Sequence, residues 1–144
     1  MKKDLIIEMF NQGFPFHKTL GLELDFYNKS IRFNMKNELI GNSQMGILHG
    51  GVIASALDVA GGLTVAMGLA EKFSKISSEE FILRFSKMGT IDMRVDYLNP
   101  GKGRRFYTKT KLLRQGNKIS VTSSELFNDE DTLIAISTAT YLVG

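Results

Sequence analysis

The longest apolar run of the chain covers residues 52–70 and holds one charged side chain, Asp58. Because the run is apolar almost all round, we expect a buried helix at about 50–70. Gly50 and Gly51 lie at its start, where the first backbone N–H groups have no intrahelical acceptor and the dipole favours negative charge. The apolar positions recur at steps of one, three and four residues, as in a helix: Val52, Ile53, Ala56, Leu57, Ala60, Leu63 and Met67.

Alternation of apolar and polar residues, the pattern of a half-buried strand, occurs on both sides of this helix. Before it, residues 20–26 and 31–35 alternate around a turn at Asn28–Lys29, which predicts a hairpin. The run 132–143 is apolar on both faces, so we expect a central strand. In the run 90–98 the pattern places Ile91, Met93, Val95 and Tyr97 on one face. The runs that follow the helix and are joined by short turns are 90–98, 104–114, 118–127 and 132–143.

The order of elements is therefore two strands, a helix and four strands. Short connections mean antiparallel pairing, so the pattern predicts an α+β fold in which five to six antiparallel strands wrap round one long helix. A short amphipathic helix is expected at about 3–12, where Gly13 ends it and Pro15 keeps it from resuming. Residues 71–89 contain another short helix and form an insertion or a lid. At 144 residues without repeats or linkers, the chain is expected to be a single domain.

Composition narrows the possible functions. The chain has no cysteine and two histidines, so disulfides, thiolate metal sites and a His-rich metal site are not expected, and no cofactor is implied. The net charge of +3 is spread along the chain, which suits a polyanionic small molecule better than a nucleic acid. The N-terminal apolar run is too short for a signal peptide, and Asp58 and three glycines interrupt the central run, so we expect no membrane span and a cytoplasmic location.

The spacing of Gly50 and Asp58 has a geometric consequence. Eight residues along a helix separate them by about 12 Å, whereas groups that act on one reacting atom must approach it to about 3 Å. If both residues serve a single site, they must come from two copies of the helix. Two antiparallel helices at a dimer interface would bring the N-terminus of one copy beside Asp58 of the other.

The segment LHGGVIASALD resembles the signature of hotdog-fold acyl-CoA thioesterases of the PaaI-like type. In that family His-Gly-Gly opens the central helix and an acidic residue follows the histidine by nine positions, as Asp58 follows His49. The wider phrase GILHGGVIASALDVAGG is far more specific than HGG alone, and the resemblance runs from about Phe14 to Val143. It implies a hotdog fold, an acyl-CoA substrate, and a homodimer that pairs into a dimer of dimers.

The resemblance also implies catalytic roles. Asp58 would act as general base on water or as nucleophile, and the Gly50 N–H would polarise the thioester carbonyl. His49 would orient substrate or hold the turn through a hydrogen bond, and Thr90 would help to place the water. Each has a structural alternative: a carboxylate bonded to backbone or partner helix, a glycine permitting tight helix entry, a structural histidine, and an ordinary strand threonine.

Other residues are candidates for binding the substrate. Some relatives have an asparagine six positions before the histidine; Ser43 stands there in this chain, so Asn42 or Gln44 would have to replace that contact. Gly51 would let a ligand approach the backbone closely. Phe81, Phe85 and Met88 either line an acyl tunnel or belong to the core. The candidates for the phosphates of coenzyme A, each with a solvated surface position as the alternative, are Arg94, Lys102, Arg104, Arg105, Arg114 and Lys118.

These observations favour hydrolysis of medium- to long-chain or aromatic acyl-CoA, with Asp58 of one subunit and Gly50 of the other at each site. A hotdog dehydratase or hydratase is the second hypothesis, but its His-Phe-Pro-Gly element is absent from the sequence. An acyl-CoA or fatty-acid binding module without turnover is the third. Asp58 argues against it, because a passive apolar pocket does not need a carboxylate.

Overall fold

The structure is a computed structural model, and it describes residues 2–144. Within that range the helices are α1 (Lys2–Gln12), α2 (Pro15–Leu20), α3 (Gly50–Lys72) and α4 (Ser78–Ser86). The strands are β1 (Glu23–Asp25), β2 (Ser30–Asn34), β3 (Ile40–Asn42), β4 (Ile47–Leu48), β5 (Gly89–Tyr97), β6 (Arg105–Gln115), β7 (Ile119–Asn128) and β8 (Leu133–Leu142).

Six of the strands form one antiparallel sheet in the order β1-β2-β6-β7-β8-β5. The order follows from the short turns, since each long C-terminal strand except β5 pairs with its neighbour in sequence. The strand β8 lies inside the sheet between β7 and β5, as its apolar character predicts. The predicted α+β architecture and strand number are thus confirmed. The segment before α3, expected to be irregular, contains the separate two-stranded hairpin of β3 and β4.

The helix α3 packs on the inner face of this sheet and forms the core. It begins at Gly50, as predicted, and ends at Lys72, two residues beyond the expected end. Ala135 and Ala139 of β8 face it and are almost completely buried, so the small side chains allow close packing of helix and strand. Length and composition alone would let α3 cross a membrane, but 67% of its most apolar stretch is buried in the fold, as in a core helix.

The N-terminal region differs from the prediction. Pro15 does not stop helix formation; it is the first residue of α2, a position where its missing N–H removes no helical hydrogen bond. Leu20, predicted in a strand, is the last residue of α2. Gly21 ends the helix in the left-handed conformation (φ 71°), and its N–H donates to the Lys18 carbonyl. The predicted hairpin is confirmed but shorter, because β1 begins only at Glu23.

A bulge in β5 corrects the predicted alternation. Thr90 pairs with Tyr141 and Asp92 pairs with Thr140, so Ile91 is an extra residue between two ladder positions. Met93 and Tyr97 pair with the inward-facing Ala139 and Ala135, so they keep the predicted face. The prediction is wrong for Ile91, because the bulge leaves it without a cross-strand partner and Thr90 takes the position opposite the inward-facing Tyr141. The bulge turns Thr90 toward α3.

The two edges of the sheet differ in length and polarity. The strand β1 has three residues, whereas β5 has nine and pairs on one side only, with β8. Ile91, Tyr97 and Leu98, on or just after β5, expose 54%, 53% and 50% of their surfaces. A long edge with exposed apolar side chains is the kind of surface that another chain covers.

Candidate active site

Asp58 lies near the middle of α3 and is half-buried. Its Oδ1 accepts a hydrogen bond from the Thr90 hydroxyl at 2.8 Å and from the Tyr141 hydroxyl at 3.2 Å. The single proton of the Tyr141 hydroxyl is shared between this oxygen and the Asp58 backbone carbonyl, which is 2.8 Å from the hydroxyl. Among residues 2–144, Oδ2 has no hydrogen-bond donor. One carboxylate oxygen is therefore held in place, and the other is left for a ligand or water.

The sheet register explains why both hydroxyls reach the same carboxylate. Thr90 and Tyr141 are directly opposite each other on β5 and β8, so their side chains leave the same face of the sheet. Gly61, one turn after Asp58, provides room for the tyrosine: a Cβ at Gly61 would overlap the Tyr141 hydroxyl. A glycine inside a helix costs about 1 kcal/mol relative to alanine, and here it allows the Tyr141 ring to approach the helix backbone.

Tyr141 stays protonated as a hydrogen-bond donor. Burial raises the pKa of its hydroxyl well above the ordinary value, and the charge of Asp58 and the hydrogen bond to it act in the same direction. The hydroxyl therefore stays protonated around neutral pH and can donate to Asp58. No sequence motif indicated this role; the only signals were a tyrosine in an apolar central strand and a glycine pair in the middle of a buried helix.

Asp58 lines a cleft of about 570 Å³. The residues that line the cleft with it are mainly apolar. The helices α1, α2 and α4 form one side of the cleft, and α3 forms the other. Phe85 and Met88 line it, as the tunnel hypothesis predicts, whereas Phe81 is fully buried in the core. The lining from the four helices, together with Phe14 just before α2, includes Met9, Phe10, Phe16, His17, Val59, Leu63 and Phe85.

His17 lies in the wall of this cleft between two aromatic rings. Its ring centroid is 4.5 Å from that of Phe10 and 4.6 Å from that of Phe14. Burial lowers its pKa, and a hydrogen-bond contact between its Nδ1 and the Phe10 carbonyl at 3.4 Å opposes that effect only in part. The neutral imidazole therefore acts as part of an aromatic wall that joins α1 to α2.

The N-terminus of α3 forms a second polar position. His49 caps the helix: its Nδ1 accepts a hydrogen bond from the Gly51 N–H at 2.8 Å. The Tyr97 hydroxyl donates to the Gly50 carbonyl at 2.9 Å. The Gly50 N–H has no acceptor among residues 2–144, so it is free to donate to a ligand, whereas the Gly51 N–H is already occupied. Gly50 and Asp58 remain about 12 Å apart along the helix.

The loop before α3 leaves the predicted substrate contacts at the surface. Asn42 and Ser43 are both exposed. The side-chain oxygen of Asn42 accepts from the backbone N–H groups of Gln44 (3.1 Å) and Met45 (3.2 Å), so it stabilises its own turn. Ser43, the amide nitrogen of Asn42 and the exposed side chain of Gln44 are the groups of this loop that stay candidates for substrate binding.

The basic candidates lie in three separate places. Arg94 is on β5 and pairs with Asp96 at 3.1 Å. Arg104 and Arg105 lie at the start of β6 and Arg114 near its end, roughly 30 Å away along the strand. Within one subunit the structure therefore does not bring these arginines together. Within residues 2–144, no three side chains of the kinds that bind metal ions are clustered, so the described chain offers no preformed metal centre.

Comparisons with known proteins identify the family. The model of the thioesterase superfamily matches residues 45–135. The medium/long-chain acyl-CoA thioesterase YigI of Salmonella typhimurium is 50% identical over 143 residues, which cover 97% of this chain and 92% of that protein. The Escherichia coli K12 protein of the same name is 49% identical with the same coverage.

Solved structures agree with this result. A crystal structure of a Shewanella oneidensis protein related to the thioesterase superfamily superimposes with a TM-score of 0.93 at 46% identity, covering 98% of this chain and 94% of that one. The predicted hotdog fold is thereby confirmed, as is the predicted enzyme class. This chain belongs to the thioesterase superfamily and is a hotdog-fold thioester hydrolase.

Proposed function

We propose that this protein hydrolyses medium- to long-chain acyl-CoA to the free acid and coenzyme A, with Asp58 as general base. The observation that carries the proposal is the carboxylate itself: Asp58 stands in a mainly apolar cleft, with Oδ1 held by two hydroxyls and Oδ2 free. The names of the relatives at 49–50% identity support the acyl-CoA substrate and the chain length.

The reaction follows from these groups. A water bonded to Asp58 Oδ2 gives up a proton to it as the water oxygen attacks the thioester carbonyl carbon. The carbonyl oxygen becomes an oxyanion, which accepts a hydrogen bond from the Gly50 N–H at the positive end of a helix dipole. The C–S bond then breaks, the CoA thiolate leaves, and the proton held by Asp58 is returned to the sulfur.

The two catalytic groups come from different subunits in this proposal. Their separation of about 12 Å along one helix excludes a shared reacting atom within one chain. The long unpaired edge of β5 supports a homodimer, because Ile91, Tyr97 and Leu98 expose their side chains there and Tyr97 contacts Gly50. Exposed apolar residues on the outer face of the sheet, Leu113, Ile119 and Leu142, support the pairing of dimers.

The cleft favours an aliphatic acyl group. Its walls are aromatic rings, methionines and branched side chains, and Ser86, Thr90, Tyr141, His17 and Asp58 supply its polar atoms. An aromatic acyl group could pack against the same side chains, so aromatic acyl-CoAs are included in the substrate panel. His49 holds the helix start, and Thr90 orients Asp58; we assign them positioning roles.

Thiol release from a panel of short, medium, long and aromatic acyl-CoAs tests the proposal. We expect wild type to release coenzyme A most rapidly from medium and long chains. Asp58→Asn should lower kcat by about 10²–10⁴-fold, because it removes the base, while binding of a non-hydrolysable acyl-CoA thioether is retained. Asp92→Asn, at an exposed carboxylate on β5, is the matched control and should behave like wild type.

The same assay separates the alternatives. Equal turnover by wild type and Asp58→Asn would exclude the general-base mechanism. Binding of acyl-CoA without thiol release by wild type would favour a binding module, and hydration of an enoyl-CoA without thiol release would favour a dehydratase or hydratase. Sedimentation of wild type as a monomer under assay conditions would exclude the shared site.

A further inference from the structure

A second cavity lies further along α3, beyond the cleft that contains Asp58. Its volume is about 350 Å³, and Met67, Ala70 and Glu71 form its α3 side. Phe26 and residues of α1 line it as well. Ile6 of α1 lines both this cavity and the Asp58 cleft, and it is only 3% exposed. Ile6 therefore stands between two spaces on the same side of the central helix.

The floor of both cavities is one stripe of α3. Val59 and Leu63 line the cleft, and Met67 and Ala70 line the second cavity. These residues follow one another at steps of four, four and three, which places them on a single helix face. The stripe begins one residue after Asp58. With its carbonyl at Asp58, an acyl chain that follows α3 passes Leu63 and then meets Ile6.

The lengths of the two spaces can be compared with an acyl chain. From Asp58 to Leu63 the helix rises about 7.5 Å, and from Asp58 to Glu71 about 20 Å. An extended acyl chain advances about 1.2 Å along its axis for each bond. An extended peptide gives the same value, because it spans about 3.6 Å over three backbone bonds. The cleft up to Ile6 then holds about six bonds, and the two cavities together hold about sixteen.

We propose that the two cavities form one acyl-chain channel along α3 and that Ile6 is the residue which determines how long a chain the enzyme accepts. This inference rests on the proposed thioesterase function and adds a specificity residue to it. Chains of about seven or eight carbons end at Ile6. Long chains are accommodated when the Ile6 side chain rotates or α1 shifts and the second cavity is filled.

The far end of the channel is charged. The Lys3 ammonium lies 5.1 Å from the centre of the Phe26 ring, and Lys29 pairs with Glu71 at 3.6 Å. Lys2 donates to the Ser74 carbonyl at 2.8 Å. Enclosing the methyl end of an acyl chain here would remove water from these charged groups, which is unfavourable. The charged rim therefore marks the limit of the apolar channel, at the length of about sixteen bonds.

The test measures kcat/KM for octanoyl-CoA and palmitoyl-CoA and takes their ratio. Ile6→Ala joins the two cavities and should raise the palmitoyl-to-octanoyl ratio about tenfold. Ala70→Leu fills the second cavity without touching Ile6 and should lower the ratio about tenfold. Ile7→Ala is the matched control, because Ile7 is half-buried on α1 and lines neither cavity, and its ratio should equal that of wild type.

The outcomes are distinguishable. If wild type releases coenzyme A from neither substrate, the proposed function fails. If wild type is active but Ile6→Ala, Ala70→Leu and wild type share one ratio, the channel is excluded while the thioesterase function stands. Should Ile6→Ala not fold, Ala70→Leu decides the question, because Ala70 is only half-buried and its substitution adds volume to a cavity instead of removing it from the core.

Discussion

The two sides of the cleft are built in different ways. The polar end, Asp58 with Thr90 and Tyr141, stands on the central helix and on two long paired strands, and hydrogen bonds define its geometry. The apolar wall opposite consists of α1, α2 and α4, three helices of 11, 6 and 9 residues outside the sheet. Ring contacts such as Phe14 with Phe85, 6.0 Å between centroids, hold these helices together.

The difference corresponds to the roles that we propose for the two sides: a general base at the polar end and binding of the acyl chain by the wall. A general base must hold its geometry to a fraction of an ångström, and residues on helices and strands are held more accurately than residues on short peripheral segments. A wall that receives acyl chains of different length benefits from side chains that repack, such as methionine and phenylalanine. Substitutions at the polar end should therefore change kcat, and substitutions in the wall should change chain preference or stability.

After the loss of the base in Asp58→Asn, the largest effect is expected from removing the free N–H at the start of α3. Gly50→Pro deletes that donor at the first helical position, where proline is tolerated, and His49 already has the extended backbone (φ −61°, ψ 137°) that precedes proline. We expect kcat to fall about 10²–10³-fold, the usual cost of one oxyanion donor. Gly50→Ala is the control, because it adds a Cβ at the same position, 3.4 Å from Tyr97, but keeps the N–H.

Mixed dimers sharpen this prediction. In a heterodimer of Gly50→Pro and Asp58→Asn subunits, one site carries both defects and the other carries neither. Unfolding and refolding the two inactive variants together should restore about half of the wild-type activity in the heterodimer fraction. If Gly50 and Asp58 acted within one chain, mixing would restore no activity. A mixture that stays inactive would therefore contradict the shared site.

The next largest effect is expected at Gly61, which provides room for the Tyr141 ring. Gly61→Ala places a methyl group against the Tyr141 hydroxyl and near the Thr122 hydroxyl (2.8 Å), so the ring must move away from Asp58. Overpacking of this kind costs about 1–3 kcal/mol of unfolding free energy, and we expect kcat to fall by at least tenfold. At Gly62 the nearest atom to a new Cβ is 3.7 Å away, so Gly62→Ala should not destabilise. Denaturant unfolding and thiol release measure both effects.

Removing the tyrosine hydroxyl alone should have a smaller effect. Tyr141→Phe keeps the ring and deletes one of the two donors to Asp58 Oδ1, so the carboxylate is held by Thr90 only. We expect kcat to fall about tenfold with little change in KM, because the hydroxyl orients the base and does not contact the acyl chain. Tyr27→Phe, at a side chain that is 93% exposed, is the control. A change confined to KM would contradict the positioning role.

The smallest effect is expected in the wall and concerns pH. Burial holds the pKa of His17 below its ordinary value of 6.5, so below that pH the unfolded chain takes up a proton that the folded chain resists. Stability should therefore be full above about pH 6.5 and decline as the pH falls towards the folded-state pKa. The melting temperature of His17→Phe should fall less between about pH 7 and pH 5 than that of wild type. Equal slopes would show that folding does not lower the pKa of His17.

Local pattern was sufficient for the elements whose surroundings are uniform. The stretch 52–70 of α3 is apolar on nearly every face and mostly buried, so the start of the helix at Gly50 and the isolation of Asp58 within that stretch were predictable. The strand β8 was predictable as central for the same reason. Leu20 was placed wrongly, because alternation over 20–26 looks like a strand although Pro15 and Gly21 define a helix that ends there. Only the bulge at Ile91, a property of pairing, decides which face of β5 carries Thr90.

For the candidate site, the sequence alone determined the local features: a carboxylate in an apolar helix, two glycines and a histidine at its start, and a separation of about 12 Å between Gly50 and Asp58 along that helix. These are local properties, because helix geometry relates residues that are near in sequence. Only the tertiary structure decided that Tyr141, 83 residues away, holds Asp58, that Gly61 leaves room for it, and that α1 and α4 enclose the cleft beside Asp58. Such contacts depend on strand register and packing, because side chains distant in sequence meet only when the sheet closes round the helix.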